Sequence, residues 1–344
     1  MLSLWGAFLS PFIAYYTLKI KITKQFSHLL TLCVAYTASG LILGLAYGNN
    51  LSDLAGDFLK SLFIPAGIGL YCIFRDEGDY VERKLFLFGS MFILARTALF
   101  ISMLGSITRL YYGTSLDALL VCVAMKRNAI RKDVGLKSRL WPKFHYVVIL
   151  ASLIGQKRTV LIAFLVYLTH NRVKTLILVM VIGIAALTLI DFADWRSVPF
   201  IGRLLSIGDI DFILENQSMR IAEVATSFRA WTSGVSVFLF GHGFGAEILV
   251  FTGREDYAES LHSLHNTLMA VAYRSGLVGL FLMLYLLKIS FLDILFGSRS
   301  DGAIIVALFA ASFFFFSFVD EVFIGYYAAR SLETLSKRRR RHAI

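Results

Sequence analysis

The chain has 344 residues, of which 57% are hydrophobic and 17% charged, with a net charge of +11 and mean hydropathy +0.70. Runs such as "LILVMVIGIAALTLI" (residues 176–190) are apolar on every side, which excludes a soluble amphipathic helix and a membrane β-barrel and predicts helices that cross a bilayer. The positive charge is not spread as a nucleic-acid surface would be: seven Lys/Arg fall in residues 125–143 and the end reads "KRRRRHAI", short basic stretches of the kind found at the cytoplasmic face.

In chain order, residues 2–18 read as a retained first span rather than a signal peptide, because no basic segment precedes the apolar run. Further spans are expected near 29–47, 58–74, 85–105 and 110–125. The "KIKITKQ" link is then cytoplasmic, and the acidic "NNLSDLAGD" is an outer connection. Residues 144–169 carry "GQKRT" at their centre and read best as two short spans that meet at Lys157 and Arg158, which keeps both cations at an outer dip instead of mid-membrane. A span over 173–190 leads to a 74-residue loop, 191–264, with ten Asp/Glu, five Arg and no Lys, expected outside. Spans near 266–288 and 303–319 follow, and a short helix from about Glu321 returns the basic tail to the cytoplasm. The expected architecture is all-α: a polytopic bundle of about eleven spans with one large, partly helical periplasmic loop. Its parts are a bundle over 1–190, the loop over 191–264, C-terminal helices over 265–335 and a basic tail over 336–344.

The three cysteines, Cys33, Cys72 and Cys122, all lie in apolar runs and read as packing residues, and no metal-ligand spacing is present. Within the loop, "NQSMRIAEVATSFRAW" predicts a helix whose apolar stripe is Ile221, Val224, Phe228 and Trp231, with Arg220 and Arg229 on its two flanks. Next comes "FLFGHGFGAE", where Gly241, Gly243 and Gly245 around His242 and Phe244 permit a tight turn with close backbone approach. His265 and Asn266 stand where the loop enters the following span. Gly276 and Gly279 lie on that span, small enough for a neighbouring helix to come close. By itself each of these also has a bland reading: an interfacial histidine, a solvated arginine, a structural turn.

Taken together, "HNTLMAVAYRSGLVG" (residues 265–279), "GQKRT", Arg220 and "GHGFG" resemble the signature of the O-antigen ligase and O-antigen polymerase superfamily, in this order and spacing. The resemblance covers about residues 151–287. It departs from the family around Arg158, where Gln156, Lys157 and Thr159 replace the usual serine and glycine, so the choice between Lys157 and Arg158, like that between Arg220 and Arg229, stays open. The resemblance implies an inner-membrane glycosyltransferase with its site facing the periplasm. Its donor glycan hangs from undecaprenyl pyrophosphate and its acceptor is lipid A-core or another lipid-linked glycan, with no cofactor, metal or nucleic acid required. On that reading His265 is the base, Arg158 and Arg220 hold the diphosphate, and Lys157, Arg229, Asn266, His242, Gly241 and Gly243 line the substrate. The chief rival is a transporter or flippase of lipid-linked glycans, which is expected to carry charges deep in several spans; in the sequence only Arg96 stands well inside one.

Overall fold

A computed structural model describes residues 24–75, 78–102, 119–126, 147–149, 167, 222–251, 258–261, 267–296, 300–312 and 318–342. The helices are α1 (Lys24–Ala46), α2 (Leu51–Ser61), α3 (Phe63–Ile73), α4 (Gly78–Ser102), α5 (Val235–Phe240), α6 (Thr267–Phe296), α7 (Ser300–Ser312) and α8 (Phe318–His342). Residues 119–126 and 222–231 are also helical. Strands β1 (Ile248–Phe251) and β2 (Ala258–Leu261) pair antiparallel, with Ile248 opposite Leu261. The described residues are mostly helical, as expected, and the loop adds this small hairpin. Neither ILVF nor AESL alternates apolar and polar residues, so the sequence carries no strand signal there.

Among the described residues, three stretches are long and apolar enough to cross a membrane: Phe26–Ala46, Leu51–Ile73 and Leu268–Phe296. Many of their outward side chains are apolar, among them Val34 and Ile42 on α1 and Phe281, Leu284 and Phe291 on α6, as a hydrocarbon solvent favours. The expected spans over 2–18 and 173–190 lie outside the described residues.

The acidic "NNLSDLAGD", expected as an outer connection, is helical from Leu51 onward. Asn50 caps α2, its side chain accepting from Ser52 N at 2.9 Å, with Asp53 in the first turn where the helix dipole favours it. Consequently Asp57 falls on the inner face of α2, 2% exposed. The helix stops at Ser61 because Pro65, four residues on, would drive its ring against the Ser61 carbonyl; α3 then restarts at Phe63.

In the C-terminal part, α7 lies where the span over 303–319 is expected, and α8 runs 25 residues where a short closing helix from about Glu321 is expected. α8 packs on α3 through two glycines: a Cβ on Gly67 would meet the Val322 carbonyl, and one on Gly325 would meet that of Ile64. With no side chain at either crossing point, the backbones can approach closely. Around this seam lies the core of Leu29, Ile64, Ile68, Tyr71, Ile93, Leu286, Ile304, Tyr326 and Tyr327.

Charges the sequence did not flag as buried gather near the basic end of α8. Lys126 Nζ stands 2.5 Å from both Glu82 Oε1 and Asp301 Oδ1, and Arg330 contacts the same two carboxylates at 2.8 and 3.1 Å. Two positive and two negative groups thus neutralise one another, which is what makes their burial tolerable. Beside them Glu333 accepts from Arg75 Nε at 2.7 Å, Arg75 Nη2 at 2.8 Å and Tyr71 Oη at 2.6 Å.

Candidate functional site

The glycine turn sits at the opposite end of the bundle from that network. Gly241, Gly243 and Gly245 have φ of +80°, +83° and +74°, the left-handed region that glycine enters without penalty. Each also lacks room for a side chain. A Cβ on Gly241 would stand 2.4 Å from Arg274 C, one on Gly243 2.2 Å from Gly44 N, and one on Gly245 2.7 Å from Leu54 N. Alternating glycines therefore let the turn press its backbone against α6, α1 and α2 at once.

All five of its N–H groups are satisfied. Gly241 N donates to Val237 O at 2.7 Å, His242 N to Tyr273 O at 2.8 Å, Gly243 N to Arg274 O at 2.9 Å and Phe244 N to Gly40 O at 2.8 Å. Gly245 N donates to Asp57 Oδ2 at 3.0 Å. From the other side Asn49 Nδ2 donates to His242 O at 3.0 Å and to Phe244 O at 2.9 Å. Phe244 is wholly buried over Gly40 and meets Tyr36 edge-on at 5.5 Å.

α6 is broken to receive the turn. Gly276 has φ +57° and ψ −144°, outside the helical region, and the Leu239 carbonyl and Phe240 amide fill the place of its missing side chain. The close approach of a neighbouring helix expected at Gly276 is made by the short helix α5. At Gly279 the nearest atom is the Val271 side chain of α6 itself.

Asp57 is the electrostatic centre. Besides Gly245 N it accepts from Arg274 Nη1 at 2.9 Å, and Lys60 Nζ stands at 3.3 Å. Arg274 is 6% exposed, so the pair is desolvated and each partner relies on the other. Sequence reasoning missed this pair. Arg274 lies inside the quoted signature, but its partner is 217 positions earlier in a stretch read as a loop, and no local pattern links them.

The half-buried His242 ring lies tilted on Tyr273, centroids 4.5 Å apart, and its Nε2 is 3.3 Å from Ala230 O. A carbonyl can only accept, so Nε2 carries the proton and the neutral ring keeps its lone pair on Nδ1. The helical residues 222–231 approach the same region: Trp231 Nε1 donates to Phe238 O at 3.0 Å and its ring stacks on Phe238 at 4.9 Å. Their buried face is Glu223, Ser227 and Trp231. Of the predicted apolar stripe, Trp231 is buried against Phe238 of α5 and Phe228 is exposed.

Of the site residues read from sequence, Gly241, His242 and Gly243 are brought together with α6, while Arg229 is exposed on the helical residues 222–231. Arg158, Lys157, Arg220, His265 and Asn266 lie outside the described residues, though His265 and Asn266 directly precede α6 in sequence. Among the described residues no group of three or more His, Cys, Asp or Glu is placed to hold a metal ion. No protein-family model, curated protein or solved structure matches the chain.

Proposed function

We propose that the chain is an integral-membrane glycosyltransferase that moves a glycan from undecaprenyl pyrophosphate to a sugar hydroxyl on the periplasmic side of the bacterial inner membrane. An O-antigen ligase acting on lipid A-core is the favoured form, and a polysaccharide polymerase the close relative. The observation that supports the reading is the junction of the glycine turn with α6. Two motifs that the family resemblance links only in sequence order are hydrogen-bonded to one another through Tyr273 and Arg274, eight and nine residues beyond His265.

In this mechanism the acceptor hydroxyl oxygen attacks the anomeric carbon as the bond from that carbon to the diphosphate oxygen breaks. The bonding pair leaves with the diphosphate, and the hydroxyl proton passes to His265. A base with a pKa near 7 contributes about 10²–10⁴ in rate to such a step. Charge growing on the departing diphosphate is stabilised by Arg158 and Arg220, with Lys157 and Arg229 as further cations, since guanidinium groups form strong paired hydrogen bonds to phosphate oxygens. One base and a good leaving group need no covalent intermediate, so the anomeric configuration inverts. A purified reaction that keeps an axial donor linkage axial would overturn that.

The deciding experiment is gel analysis of surface glycan in a null strain complemented with His265→Ala or Arg158→Ala. Loss of the capped lipopolysaccharide ladder with the variant protein still present in the membrane is expected; an intact ladder refutes the reading. In the null strain itself, long uncapped polymer marks a ligase and single-repeat caps mark a polymerase.

A lipid-linked glycan transporter is the second reading. The ion-paired quartet of Glu82, Lys126 and Asp301, all buried, with the half-buried Arg330 favours it, because charges buried between helices are typical of transport proteins. Labelled lipid-linked glycan in proteoliposomes separates the two: movement across the bilayer without bond transfer selects the transporter.

A further inference from the structure

Between Arg229 and Glu247 lie seventeen residues, 230–246, without a single Asp, Glu, Lys or Arg. They include α5, whose sequence VSVFLF has no buried residue: Val235 is 77% exposed and Phe240 45%, with Phe238 and Leu239 both at 37%. A water-facing loop would not be expected to expose so continuous an apolar surface.

The depth at which this segment docks explains it. Phe244 N bonds Gly40 O, and Gly40 is six residues before the end of α1, about 9 Å inward at 1.5 Å per residue. The α1 span of 21 residues is about 31 Å long, close to the hydrocarbon thickness of about 30 Å, so that bond lies inside the apolar layer. α6 gives the same answer independently. Its span of 29 residues is about 43 Å long and overhangs a centred core by about 7 Å at each end. Gly276, which touches Leu239 and Phe240, is eight residues in from Leu268, about 12 Å. Non-helical backbone at such depth is tolerated only when its polar groups are satisfied by protein. The N–H groups of residues 241–245 meet that condition without exception.

We infer that residues 230–246 form a re-entrant element within the hydrocarbon layer, with Leu239 and Phe240 of α5 facing lipid acyl chains beside α6. The occupant of the exposed face is the bilayer itself, because the backbone positions the segment touches, Gly40 on α1 and Gly276 on α6, lie at the depth of the apolar layer. The inference rests on α1 and α6 crossing a membrane and is independent of the chemistry proposed for the site.

The test is nitroxide accessibility in nanodiscs of phosphatidylethanolamine and phosphatidylglycerol. Cys33, Cys72 and Cys122 are replaced by Ala, and single cysteines are placed at Leu239 and Phe240, with Phe281→Cys as the lipid reference and Glu247→Cys as the aqueous one. The inference requires oxygen to collide with positions 239 and 240 as often as with 281, and a nickel chelate to do so several-fold less than with 247. Nickel access equal to that at 247 overturns it, as does exclusion of both reagents, which would mean that protein covers the patch. A water-accessible Phe281 would remove its premise instead. Hydroxyl-radical footprinting of the unmodified chain in the same nanodiscs guards against a cysteine variant that fails to fold: Phe238 and Phe240 should escape oxidation, and their oxidation overturns the inference.

Discussion

At Gly243 the left-handed backbone and the amide of Gly44 together exclude any side chain. Gly48 shares the φ, +68°, but has open space around it, so the two positions separate strain from crowding. Gly48→Ala should lose about 1–2 kcal/mol from backbone strain alone, whereas Gly243→Ala adds an overpacking cost of about 1–3 kcal/mol. Thermal unfolding in detergent should therefore rank Gly243→Ala well below Gly48→Ala; equal midpoints would mean that the turn is not seated on α1. The sequence revealed the turn, because closely spaced glycines have few other uses. It could not reveal what the turn presses against, since Gly40 and Gly44 look like ordinary residues of a span.

Helix positions in an apolar chain are legible because burial in lipid demands length and composition, and α1, α3, α4 and α6 fall close to the expected spans. Where polar residues enter a helix the reading fails. α2 resembled a connection because Asn49, Asn50, Ser52 and Asp53 were read as solvated, although Asn50 is a capping residue and marks a helix start. The kink in α6 was equally hidden: glycine on a span usually signals helix contact, and only the arrival of α5 shows that Gly276 breaks the helix instead. The seam of α3 and α8 is open to direct trial. Gly67→Leu places a side chain in the Val322 carbonyl, which only a shift of the whole helix can relieve, so this variant should lose the monodisperse peak on size-exclusion chromatography. Gly56→Ala on α2 has nothing within 4 Å of the new carbon; it should be neutral or gain about 0.4–1 kcal/mol through the unfolded state. Equal behaviour of the two variants would argue against the close crossing.

Across the whole molecule, Asp57 ties together segments that the sequence keeps far apart: α2, the glycine turn and α6. Asp57→Ala leaves Arg274 buried without that counter-charge, a change that costs about 3–5 kcal/mol at sites of this kind. Asp57→Asn keeps an acceptor for Gly245 N and should melt above Asp57→Ala in detergent. If both melt like the parent, the pair is not buried as described. The class of fold was readable from composition, and the glycine turn from its spacing. The long-range ion pairs were not, because a carboxylate's burial is decided by a partner that one-dimensional spacing does not indicate.

The 217 positions from Asp57 to Arg274 also set an order of events at the ribosome. At about 5–20 residues per second, Asp57 is made roughly 10–40 seconds before the guanidinium that neutralises it. During that interval Lys60 of the same helix is the cation beside it, and without Arg274 the charged pair favours a place for α2 at the water boundary. Nascent chains halted before residue 274 should therefore expose Asp57 to solvent, and the final seating of the N-terminal helices belongs to the last third of translation.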